Sequence, residues 1–83
     1  MTKEEVYKKV VDILGRYTKN KTALESISLE TSILDDLKIN SARLVDIVLD
    51  FEDVFDIEVD DDDADRVTTV KDGVSLILAK IEI

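Results

Sequence analysis

Apolar positions recur at helical intervals in three stretches of this chain. In the first, Val6, Val10, Ile13, Leu14 and Tyr17 fall three or four residues apart, the spacing of one buried helix face. Thr2-Lys3-Glu4-Glu5 precedes them as a capping box, whose hydroxyl and carboxylate each accept a backbone N–H left free at a helix start. A first helix is therefore expected to about Thr18. Asn40 or Ser41 can cap a second, in which Leu44, Val48, Phe51 and Phe55 form a buried stripe running to about Phe55. Its polar face carries Asp46, Asp50 and Asp53, and Val45 and Leu49 extend an apolar line beside the stripe that the core covers only in part. Thr69 with Asp72 forms another capping box, followed by Val70, Val74, Ile77, Leu78 and Ile81 on the last helix.

Two segments lack such a long period. Asp60 to Arg66 has room for one short helix, with Ala64 and Val67 facing inward. From Lys19 to about Asn40 no period is sustained, yet Ile27, Leu29, Ile33, Leu34, Leu37 and Ile39 can pin the segment to a core. It reads as a packed crossover holding a short turn of helix around Ser32 to Leu37. The expected fold is all-α, a small four-helix bundle of three long helices and one short, with a long packed first loop. One domain spans residues 1–83, since 83 residues leave no room for two.

Composition narrows the chemistry. There is no His and no Cys, which rules out a Ser-His-Asp triad, a cysteine nucleophile, thiolate or imidazole zinc sites and disulfides. Gly15 and Gly73 are the only glycines, so no Gly-rich phosphate cradle exists. Hydrophobic residues make up 45%, enough to fold. A core of this size yields about 3–5 kcal/mol, so modest stability is expected. No apolar run has the length of a signal peptide or a membrane span, and the expected compartment is the cytoplasm.

The net charge of -9 repels nucleic acid and anionic membranes and favours partners with basic patches. Between Leu44 and Asp65 stand eleven acidic residues and no basic one, whereas residues 1–21 carry a balance of +3. A solvated face is the simple explanation of such a run. Self-repulsion on that scale nevertheless costs stability, which suggests a gain elsewhere. Asp61, Asp63, Asp65 and Asp72 match positions 1, 3, 5 and 12 of a calcium loop, but Arg66 stands where the turn needs glycine and Asp72 where Glu is usual. No specific metal site is expected, only diffuse divalent binding.

Ser41 sits where the loop meets the acidic helix. A helix cap is its plain structural role. It cannot activate itself as a nucleophile, because Asn40, Ala42 and Arg43 offer no general base. Any chemistry at Ser41 must be driven by another enzyme.

The stretches Leu34-Asp35-Asp36-Leu37-Lys38-Ile39-Asn40-Ser41, Leu44-Val45-Asp46-Ile47-Val48, Phe51-Glu52-Asp53-Val54-Phe55-Asp56-Ile57-Glu58-Val59 and Ala64-Asp65-Arg66-Val67-Thr68-Thr69-Val70 together resemble an acyl carrier protein. The resemblance runs from about Glu4 to Lys80. It implies a four-helix bundle whose Ser41 receives 4'-phosphopantetheine from coenzyme A, the thiol then carrying acyl groups as thioesters between enzymes. Such a protein is not an enzyme but a monomeric carrier used in trans, in a fatty-acid, lipid or polyketide type of pathway. A phosphopantetheinyl transferase would modify it, and acyl-transferring and condensing enzymes with basic surfaces would grip Ala42, Val45, Asp46, Leu49, Glu52, Asp53 and Asp56.

Three positions depart from the family pattern. Asn40-Ser41-Ala42 stands for the usual D-S-L, Lys38 for a glycine three residues before the serine, and Arg43 for an acidic residue two after it. Lys38 and Arg43 bring two cations near Ser41, able to pair with an added phosphate or to repel basic partners. These departures favour a specialised carrier over a housekeeping one. The alternatives are an acidic helical module without a prosthetic group and a weak divalent-ion buffer.

Overall fold

The computed structural model describes residues 2–81, and all four expected helices are present with a fifth, five-residue one in the loop. Helix α1 (Lys3–Gly15) begins at the expected Thr2 cap: Glu5 N–H donates to Thr2 Oγ1 at 3.2 Å, while the Glu5 carboxylate, predicted to take a backbone N–H, accepts the Thr2 hydroxyl at 3.2 Å. Regular helix ends at Gly15, earlier than the periodicity suggests, although Thr18 N–H still reaches the Leu14 carbonyl at 3.0 Å.

The loop is more ordered than its sequence suggests. Helix α2 (Lys21–Glu25) was not expected; the Asn20 side chain caps it by accepting Ala23 N–H at 3.1 Å. It packs close to the end of α1. A Cβ at position 15 would lie 3.3 Å from Leu24 Cδ2, so Gly15 permits this approach. The helical turn expected at Ser32 to Leu37 is instead a hydrogen-bonded turn, entered through an isolated antiparallel bridge between Ser32 and Thr69. Ile33 N–H donates to Thr68 O at 3.0 Å. In return Val70 and Lys71 N–H donate to Thr31 O and Leu29 O at 3.0 and 2.8 Å, so loop carbonyls satisfy donors that a helix start leaves free.

Helix α3 (Leu44–Phe55) follows a single 3-10 turn, Ser41–Arg43. Its buried face is Ile47, Val48, Phe51 and Phe55; Leu44, expected in the stripe, is half-buried, and Ile47 takes the inner position. Asp56, in the left-handed region at φ 54 and ψ 52, ends the helix, its N–H returning to Glu52 O. Asp tolerates this conformation better than most residues. Helix α4 (Asp61–Asp65) is capped by Asp60, which accepts Asp63 N–H at 2.9 Å, and Val67 is buried behind it while Ala64 is half-buried. The Asp61–Asp65 stretch is thus helix rather than calcium-loop backbone.

Helix α5 (Val70–Ile81) opens on the second capping box, with Asp72 N–H to Thr69 Oγ1 at 3.2 Å and Thr69 N–H to Asp72 Oδ2 at 3.1 Å. The Thr68 hydroxyl adds a 2.6 Å bond to the same carboxylate. Led by that hydroxyl, these donors hold the Asp72 carboxyl below its ordinary value of 3.8, against the opposing effect of burial. One core joins α1, α3, α5 and the loop: Val10, Ile13 and Leu14 meet Ile33, Leu37, Ile47, Phe51, Val74 and Ile77, all at most 1% exposed. Phe51 and Phe55 meet edge to face with centroids 6.5 Å apart. No described helix is long and apolar enough to cross a membrane.

Candidate functional site

The segment leading to Ser41 alternates between core and solvent. Leu37 and Ile39 are 0% and 4% exposed, while Lys38, Asn40 and Ser41 face outward. Lys38 has φ 57, in the left-handed region that a side chain disfavours. That geometry gives a physical reason why glycine suits this position and makes Lys38 a strained substitute.

Asn40, not Ser41, is the cap. Its Oδ1 accepts Ala42 N–H at 2.9 Å and its carbonyl accepts Arg43 N–H at 2.8 Å. The Ser41 carbonyl takes Leu44 N–H and so joins the 3-10 turn to α3. The Ser41 hydroxyl itself makes no hydrogen bond among the described residues. An exposed, unengaged hydroxyl at a helix entrance is free to react, and the plain capping role falls to its neighbour.

Beyond Ser41, Val45, Asp46, Leu49 and Asp53 follow at intervals that put them on one face of α3. Val45 and Leu49 are 65% and 52% exposed, far more open than the margin of a core face would be. Val54, at 39%, is also open but lies elsewhere on the helix. Ala42, Asp53 and Asp56 are exposed, and Glu52 is half-buried with its Oε2 accepting Val59 N–H at 3.4 Å. The face thus combines a narrow apolar contact with flanking carboxylates.

The acidic segment is not wholly without counter-charge. Arg43 Nη1 donates to Asp46 Oδ2 at 3.1 Å, Lys80 Nζ pairs with Asp63 at 3.1 Å, and Arg16 stands 4.0 Å from Asp50. All three cations come from outside the segment: Arg43 from the turn just before it, Arg16 from the end of α1 and Lys80 from α5, which is why local charge patterning overstates the repulsion. Arg43 is therefore engaged with Asp46, in competition with any phosphate at Ser41.

Asp50, expected on the polar face, turns inward. The Tyr17 hydroxyl donates to its Oδ2 at 2.5 Å and lies 3.5 Å from the Asp46 carbonyl. That bond to Asp50, with burial and the negative charge nearby, raises the Tyr17 phenol above its ordinary 10.0. Tyr17 and Arg16 thereby tie the end of α1 to the middle of α3. Among the described residues no three Asp or Glu side chains converge where a metal ion could sit.

Known proteins resemble this chain in sequence and in fold. The family model described as a phosphopantetheine attachment site matches residues 4–77. An acyl carrier protein of Thermotoga maritima is 38% identical over 80 residues, 96% of each chain. One from Desulforapulum autotrophicum is 40% identical over 57 residues, 69% of this chain and 74% of that protein. The solved acyl carrier protein of Enterococcus faecalis superposes with a TM-score of 0.79 at 32% identity, covering 96% of this chain and 99% of that one. A cysteine-free helical bundle, matched over nearly its whole length by sequence and by shape, belongs to the acyl carrier protein family, the phosphopantetheine-bearing carriers that serve partner enzymes and are not themselves enzymes.

Proposed function

We propose that Ser41 is the residue that bears the 4'-phosphopantetheine. The observation that carries this is its exposed hydroxyl, left free because Asn40 does the capping, at the entrance of α3. The residues fit the group: the turn Ser41–Arg43 presents the oxygen outward from a backbone fixed by three hydrogen bonds. When bound, the group supplies the thiol for acyl cargo, a function this cysteine-free chain lacks. The chain's own task at Ser41 is presentation. No neighbouring base takes the hydroxyl proton, so its removal falls to a phosphopantetheinyl transferase.

Val45 and Leu49 then give partner enzymes a small apolar hold, while Asp46, Glu52, Asp53 and Asp56 steer basic surfaces, with Ala42 at the edge of the contact. Steering of this kind raises association rates and yields salt-sensitive complexes that release readily, as a shuttle requires. Lys38, Asn40 and Arg43 support a specialised carrier of a fatty-acid, lipid or polyketide type of pathway, because Arg43 cancels part of the acidic rim that basic partners grip. The cytoplasm, with coenzyme A and acyl-transferring and condensing enzymes at hand, suits a monomeric carrier.

Intact-mass analysis after incubation with coenzyme A and a broad-specificity transferase tests the assignment. One phosphopantetheine adduct, lost in Ser41→Ala, is expected. An adduct that persists in that variant would place the group elsewhere, and no adduct at all would leave an acidic module without a prosthetic group.

A further inference from the structure

Ser41 is carried by a loop with little regular structure of its own, yet one buried polar side chain reaches that loop from just beyond the end of α1. Thr18 follows α1 and is 4% exposed. Its hydroxyl donates to the Leu37 carbonyl at 2.5 Å and accepts Asn20 N–H at 3.1 Å. Asn20 completes the connection: its Oδ1 caps α2, and its Nδ2 donates to the Asp36 carbonyl at 3.4 Å. Two consecutive loop carbonyls, at residues 36 and 37, are thus held by the junction between α1 and α2.

The next residue is Lys38, in its left-handed conformation. After it come buried Ile39, the capping Asn40 and Ser41. A backbone that bends through a disfavoured φ keeps that bend only where its surroundings hold it. The Leu37 carbonyl, immediately before the bend, is where Thr18 holds it. We propose that Thr18, assisted by Asn20, is a positioning residue for Ser41: its hydroxyl fixes the bend at Lys38 and so the orientation in which the 3-10 turn offers the serine to a transferase. This rests on Ser41 being the attachment residue. It adds a determinant between α1 and α2, hydrogen-bonded to neither Ser41 nor α3.

The geometry separates this role from ordinary core packing. Thr18→Val keeps the shape of the side chain but removes the donor to Leu37 O and the acceptor for Asn20 N–H, leaving a carbonyl of buried Leu37 and an N–H of half-buried Asn20 without that partner. Thr18→Ser keeps both bonds and loses only a methyl group. Two measurements, made where every variant is more than about 99% folded by its own melting curve, distinguish local from global effects. One is amide hydrogen exchange, comparing Ala42, Arg43 and Leu44, whose N–H groups build the turn at Ser41, with amides inside α1 and α5. The other is the kinetics of phosphopantetheine transfer from coenzyme A by a broad-specificity transferase.

In Thr18→Val, exchange at Ala42, Arg43 and Leu44 is expected to accelerate at least tenfold beyond any change in α1 and α5. The KM for the carrier should rise about tenfold with kcat changed less than threefold, and Thr18→Ser should restore both readouts. Equal acceleration throughout the molecule, or an unchanged KM in Thr18→Val, overturns the positioning role. Failure of the wild type to accept the group at Ser41 overturns the attachment reading instead, while the exchange comparison still decides whether Thr18 orders the turn.

Discussion

Replacing Lys38 by glycine should stabilise this protein, although it removes a side chain and adds flexibility to the unfolded chain. At φ 57 the Lys38 Cβ crowds its own backbone, a conformation that costs a residue with a side chain about 1–2 kcal/mol. Glycine escapes that cost, but its freedom in the unfolded state takes back about 0.4–1 kcal/mol. The net gain is about 0.5–1 kcal/mol, since Lys38 is exposed and none of its side-chain atoms makes a hydrogen bond or ion pair among the described residues. For a domain of this size, 1 kcal/mol moves the melting temperature by about 4–8 °C, so Lys38→Gly should melt about 2–8 °C higher. Thermal unfolding followed by circular dichroism at fixed ionic strength reads this directly. Lys38→Ala is the control. It removes the same charge and the same long stem while keeping the Cβ, and should show little or none of the gain. If glycine melts at or below the wild type, or alanine gains as much as glycine, relief of backbone strain is not the cause.

Four further expectations follow from the same structure. Asp72→Ala should lower stability by about 1–2 kcal/mol, the usual scale for losing a helix cap, and remove an acid-sensitive step. Asp72 has a depressed pKa, so its contribution is complete above about pH 4 and fades as pH falls through its folded value; a urea titration at pH 6 and pH 3 that gives the same difference for both proteins would contradict this. Tyr17 has a raised pKa, so the stability it adds over Tyr17→Phe should be full below pH 10 and decline as pH rises through its folded value, as paired alkaline melts will reveal; a constant gap would dismiss the Asp50 bond as the cause. Association of Asp46→Lys, Asp53→Lys with a partner enzyme should slow more than its release quickens, and should lose the salt dependence of the wild type; equal salt dependence in stopped-flow traces would count against steering. Asn40→Asp with Arg43→Asp should speed modification by a general housekeeping transferase, whereas unchanged or slower modification would mean that these departures do not select partners.

What was legible in the chain is what local chemistry encodes. Both helix starts close within four residues: Thr69 and Asp72 make both bonds of their capping box, and at the first the Glu5 N–H reaches the Thr2 hydroxyl, which itself meets the Glu5 carboxylate. The stripes of α1, α3 and α5 follow from the 3.6-residue period, because one apolar face must be buried whatever it is buried against. Ser41 stands out as the candidate through its place before the acidic helix and the phrases that follow. Its role as a cap was not excluded by sequence, since Asn40 and Ser41 cap about equally well; only the folded backbone assigns that bond to Asn40.

Everything that holds the serine loop in place was decided in three dimensions. Helix α2 has five residues and none fully buried, too short to show a period, and it depends on the Asn20 cap and the space left by Gly15. Asp50 reads as one more surface acid until Tyr17 and Arg16 arrive from α1. Thr18 reads as the last residue of the first helix until its hydroxyl meets the Leu37 carbonyl, nineteen residues away. A helix period or a cap is a property of neighbours along the chain and can be read there. Bonds between distant residues and the left-handed bend at Lys38 depend on where the core forces the backbone to pass, which is settled only when α1, α3 and α5 pack.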